Sequence, residues 1–81
     1  MSKADSMFEE LGYKKYFEIE KAEVDEVKVG YNKKLINGIT IHIDFCGDGS
    51  VGIINNSDGI YYISIKEIKA INEKCREMNW I

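Results

Sequence analysis

Residues 39–46 read Ile-Thr-Ile-His-Ile-Asp-Phe-Cys, alternating over eight positions without a break. A period of two puts Ile39, Ile41, Ile43 and Phe45 on one face of a strand and Thr40, His42, Asp44 and Cys46 on the other. Turn formers bracket the segment. Asn37-Gly38 precedes it and predicts a two-residue type I′ hairpin, which needs positive φ at both central positions. Gly47-Asp48-Gly49-Ser50 follows and turns the chain into Val51–Asn55, where Val51 and Ile53 face inward and Ile54 outward. Asn56-Ser57-Asp58-Gly59 predicts a further turn into a short strand at Ile60–Ile63. Upstream, Lys15, Phe17 and Ile19 alternate with Tyr16, Glu18 and Glu20, and Val27, Val29 and Tyr31 alternate with Glu26, Lys28 and Gly30. Turns between β-rich runs predict an antiparallel meander.

The two ends follow a different period. Ser2 and Asp5 have capping-box spacing, and Ala4, Met7, Phe8 and Leu11 fall on one helical face. Gly12 is placed to end that helix, since it carries no Cβ penalty in the left-handed region. Ser64 and Glu67 form a second capping box, with Ile63 and Ile68 spaced as a hydrophobic staple. Ile65, Ile68, Ile71, Cys75 and Met78 then make a stripe that runs to about Met78, with Ile68 and Ile71 at its centre as expected core residues. The fold class is therefore α+β: an antiparallel β-meander of three to four strands, with an N-terminal and a C-terminal helix on one face, in the order α-β-β-β-β-α. Residues 1–81 form one domain, because two would leave about 40 residues each, below the size that folds without disulfides or metal.

Charge narrows the function classes. Eleven bases against fourteen acids give a net charge of −3. Residues 1–27 carry four lysines against eight acids, and the rest is close to neutral. That balance argues against a general nucleic-acid binder, which needs a basic field to displace condensed counterions. Two cysteines are too few for a disulfide framework. No apolar segment follows Met1, and no apolar run nears the ~20 residues that cross a bilayer, so a cytoplasmic, reduced setting is expected.

His42, Asp44 and Cys46 share a strand face and are all competent metal ligands, making them the candidates for a metal site. Same-face neighbours along a strand lie about 7 Å apart, however, so a single ion does not bridge all three without a bulge. Gly47-Asp48-Gly49-Ser50 lacks the strand-to-helix setting and the lysine of a phosphate loop. For nucleophilic catalysis the residues on offer are Cys46 or Cys75 with the sole histidine, His42. The alternation exposes Cys46 and the helical stripe buries Cys75, and no nucleophile–base–orienter set emerges. No catalytic residue, cofactor or resident metal is expected.

Two blocks resemble a known group. Ala4-Asp5-Ser6-Met7-Phe8-Glu9-Glu10-Leu11-Gly12-Tyr13, and the stretch from Lys66-Glu67-Ile68-Lys69-Ala70 to Trp80, resemble the two ends of small uncharacterised proteins encoded by phages and prophages of low-GC Gram-positive bacteria. The resemblance covers about 30 residues. Members of the group end in a Leu-Gly-Trp-like tripeptide; here Met78-Asn79-Trp80 stands in its place, with Asn for the glycine. The resemblance implies a phage or mobile-element origin and the same α-β-α order, and carries no activity with it.

The function expected from these features is a non-catalytic protein-interaction module engaging a host or phage protein, or a second copy of itself. With both helices on one face of the sheet, the other stays open. Tyr16, His42, Asp44 and Ile54 are the expected partner-binding residues there, beside Thr40 and Cys46. A nucleic-acid-associated regulator using Lys66, Lys69 and Arg76 is the alternative, and a metal- or thiol-dependent enzyme the third reading.

Overall fold

The computed structural model describes residues 2–81. Helix α1 (Lys3–Glu10) leads into strands β1 (Lys14–Glu18), β2 (Val27–Lys34), β3 (Thr40–Cys46) and β4 (Val51–Asn55), and helix α2 (Ile65–Glu77) closes the chain. The strands form one antiparallel sheet in sequential order, β1-β2-β3-β4. Helix residues Phe8 and Ala70 share a single buried cluster with Val29, Tyr31, Ile41, Ile43 and Phe45 from one sheet face, so both helices cover that face. Phe8 stacks on Tyr31 with ring centroids 4.0 Å apart, and Phe45 meets both rings edge-on.

The β2–β3 and β3–β4 hairpins share one construction. In each, a first-strand carbonyl accepts from a glycine three residues on, Leu35 from Gly38 and Cys46 from Gly49. Each glycine has positive φ, and the preceding Asn37 or Asp48 side chain caps the N–H two residues ahead. This is a three-residue loop with a glycine bulge, not the type I′ turn expected at Asn37-Gly38, because Asn37 keeps negative φ. The extra residue, Ile36, is fully exposed at the tip.

Both helices end alike. Past α1, Gly12 takes φ +92° and the Tyr13 N–H bonds the Phe8 carbonyl; past α2, Asn79 takes φ +60° and the Trp80 N–H bonds the Cys75 carbonyl. This left-handed exit satisfies the last helical carbonyls and turns the next residue back toward the core. Tyr13 is buried there, and Trp80 packs beside Phe45.

Two expectations are corrected. Ile60–Ile63 is not a strand: the segment is extended but joins no ladder, because it carries the chain from the β4 edge to the start of α2. The buried face of α2 is also rotated from the isoleucine stripe. Glu67, Ala70 and Lys74 are its buried residues, whereas Ile68 is 47% exposed and Ile65 more so. Ile71, Cys75 and Met78 pack against the core only in part. In this orientation Glu67 reaches the hydroxyls of Tyr13 and Tyr61.

Candidate functional site

The open face is organised by a β-bulge. Lys15 pairs with Tyr31 and Phe17 pairs with Gly30, so Tyr16 is the extra residue in β1. A bulge puts two consecutive side chains on the same side. Tyr16 and Phe17 therefore both project from the open face, their ring centroids 6.4 Å apart. Strict alternation had assigned Phe17 to the core, and the bulge overturns that. Its only trace in the sequence is the broken polarity of Lys15-Tyr16-Phe17, with two large aromatics in a row.

Gly30 holds the arrangement in place. A Cβ there would stand 2.5 Å from the Tyr16 ring and 2.7 Å from an Asp44 carboxylate oxygen. Only glycine leaves room for the tyrosine to cross β2 and donate its hydroxyl to Asp44 Oδ1 on β3, at 2.7 Å. Burial and then this bond to a carboxylate push the Tyr16 hydroxyl up to about 12, so it remains a donor at neutral pH. His42 meets the Tyr16 ring edge-on at 5.2 Å between centroids. Ile54, paired with His42, stands at the far side of the face and is 54% exposed.

Of the four expected partner-binding residues, Tyr16, His42 and Asp44 come together directly, and Ile54 adjoins them through the ladder. Asp44 is corrected in one respect: it is 8% exposed, not solvated, because the Tyr16 ring covers it. As candidate metal ligands, His42, Asp44 and Cys46 stand in register opposite Asn32, Gly30 and Val27, and Asp44 Oδ1 is occupied by Tyr16. Among the described residues no group of three or more His, Cys, Asp and Glu is placed to hold a metal ion. Both cysteines are half-buried, which corrects the exposed-versus-buried contrast expected for Cys46 and Cys75. Burial pushes the Cys75 thiol up.

The helix-covered side carries a second polar constellation. Glu67 is 3% exposed. Its Oε1 accepts from the Ser64 N–H at 2.8 Å, completing the capping box, and its Oε2 accepts from the hydroxyls of Tyr13 and Tyr61. Lys33 Nζ lies 3.8 Å from Oε2 and 4.6 Å over the Tyr13 ring. Burial alone would raise the Glu67 pKa, but the tyrosine and Ser64 hydrogen bonds outweigh it and hold the carboxyl near 2. Nearby, Lys74 is buried between Asp5 (3.8 Å) and Glu77 (3.7 Å), and Asp5 also pairs with Lys15 and accepts from Tyr31. Sequence spacing marked Glu67 and Asp5 only as caps; apart from Tyr61, six residues before Glu67, the tyrosines and lysines they bind are 10 to 69 residues away.

A cleft of about 610 Å³ opens between α1 and β1, lined by Asp5, Glu9, Tyr13, Lys14, Lys15 and Tyr31. Its two tyrosine hydroxyls are committed to Glu67 and Asp5, and Lys15 to Asp5 and Glu18. The basic residues of the nucleic-acid alternative are interspersed with acids. Lys66 and Lys69 flank a shallow groove beside Glu10, while Arg76 pairs with Glu73 at 3.9 Å.

No protein-family model matches the chain, and no curated protein or solved structure does. Among the described residues, no helix is long and apolar enough to cross a membrane.

Proposed function

We propose that this chain is a non-catalytic protein-interaction module, of phage or mobile-element origin, that recognises a host or phage protein through the open face of its sheet. The observation behind this reading is the paired display of Tyr16 and Phe17 by the β1 bulge, with Tyr16 fixed over Gly30 by its bond to Asp44. Aromatic rings held in one rotamer lose little entropy on binding, which is why such residues dominate interface cores. Lys34 and Lys14 occupy register positions on the same face, and its one acid, Asp44, is covered. The surface therefore suits a protein segment whose apolar side chains are flanked by carboxylates.

A photo-crosslinking residue at position 17, compared with one at position 66 on α2, tests this in the cells that express the chain. The expected result is a discrete protein adduct from position 17 alone, lost with Tyr16→Ala. No adduct, equal adducts from both positions, or a nuclease-sensitive adduct would refute it, the last in favour of the nucleic-acid alternative.

A further inference from the structure

The two edges of the sheet are unlike. β1 carries Lys14, Lys15 and Glu18 and is broken by the Tyr16 bulge, the features that keep an edge strand from pairing with another chain. β4, with the sequence Val-Gly-Ile-Ile-Asn, has no charge, no proline and no register shift. The bond from the Cys46 N–H to the Ser50 carbonyl, 2.9 Å long, sets the phase of the β3–β4 ladder. Alternation then makes Asp44–Gly52 and His42–Ile54 the pairs that exchange hydrogen bonds, and turns the N–H and C=O groups of Val51, Ile53 and Asn55 off the free edge.

We propose that this edge pairs with β4 of a second copy, antiparallel about a two-fold axis at Ile53, to give a continuous eight-stranded sheet. In that register Ile53 faces Ile53 of the second copy and Val51 faces its Asn55, so every outward-turned backbone group meets its complement. On the open face, Ile54 falls opposite Gly52 of the second copy, a side chain against a gap. A neutral strand is free of the like-charge repulsion that self-pairing of β1 would bring.

The apolar surface around the edge points to the same occupant. Ile53 is 43% exposed although it lies on the helix-covered face. Glu77 turns one side of α2 toward α1, where it accepts from the Ala4 N–H, so Ile68 falls on the flank away from α1. The two-fold axis keeps the helices of both copies on one side of the joined sheet and sets these flanks facing across the seam. Ile53 and Ile68, both exposed, supply apolar side chains to that seam.

Sedimentation velocity on the full chain, across the micromolar to millimolar range, tests the pairing. The wild type is expected to reach twice the 9.3 kDa chain mass. Ile53→Lys should weaken the dimer at least ~10-fold by setting two ammonium groups at the axis. Ile68→Glu should weaken it through the helix flank, and Tyr16→Ala should leave it intact. Far-UV circular dichroism and the melting curve verify that each variant is folded, and both altered isoleucines already meet solvent. A wild type that stays monomeric throughout would overturn the proposal. So would a dimer that survives both isoleucine changes, or one that Tyr16→Ala dissociates while Ile53→Lys does not.

Discussion

Replacing Glu67 with Gln tests whether the buried carboxylate governs stability. Gln keeps the shape and, through Oε1, the acceptor for the Ser64 N–H, so the capping box persists. At the other position, the oxygen that accepts from Tyr13 and Tyr61 becomes an amide NH₂ facing two hydroxyl donors and the Lys33 ammonium. The fall in the Glu67 pKa from its ordinary 4.5 to about 2 corresponds, at about 1.36 kcal/mol per pH unit, to about 3 kcal/mol of stability. Because the folded-state value lies below the unfolded one, this contribution is complete above about pH 4.5 and disappears as the pH falls toward 2. Urea unfolding between pH 7 and pH 2 is the assay. At pH 7 the variant should be about 3 kcal/mol less stable than wild type, and the difference should shrink toward the acid end. Asp5, whose pKa is also lowered, gives both proteins a common acid slope that cancels in the difference. A variant within ~1 kcal/mol of wild type at pH 7, or a difference independent of pH, would refute this account of the carboxylate.

Three further outcomes follow from the geometry. Gly30→Ala should cost about 1–3 kcal/mol in thermal unfolding, because the new methyl displaces the Tyr16 ring from Asp44, and the Tyr16–His42 contact should vanish from NMR spectra. Ile71→Ala should lower stability by about 2 kcal/mol, whereas Ile68→Ala, at a site already half in solvent, should change it by less than ~1 kcal/mol; equal losses would put the wrong face of α2 against the core. A thiol reagent on the native protein at pH 8 should modify Cys46 before Cys75, whose thiolate is disfavoured by burial, and the reverse order would contradict that burial.

The sheet order and both helices were legible because each rests on a local signal: the alternation of residues 39–46, two glycine-bearing loops, and two capping serines. The rest depends on distant residues. An isoleucine stripe marks Ile68 and Ile71 as the core side of α2, yet Ile68 is half exposed and the buried Glu67 carboxylate meets Tyr13, 54 residues earlier. No periodicity contains that pairing. The bulge at Tyr16 was equally hidden, since it is set by where Phe17 finds Gly30 across the ladder. His42, Asp44 and Ile54 share a face as the alternation implies, because β3 and β4 keep strict register. Phe17 was missed because β1 does not.

The Ala4 N–H is bonded to the Glu77 carboxylate, so α1 and α2 join the two ends of the chain across 73 residues. Everything between them is a meander in which each strand meets its sequence neighbour, the kind of local contact that forms quickly. Loop-closure entropy makes the helix pair the late event on the folding path. During synthesis α1 leaves the ribosome before the sheet, but Lys74 and Glu77, its partners on α2, emerge after it. An N-terminal helix with only eight residues cannot persist alone until then. Helix α1 is thus made before the sheet and secured after it, and a chain interrupted before residue 74 would hold a sheet with its aromatic face uncovered.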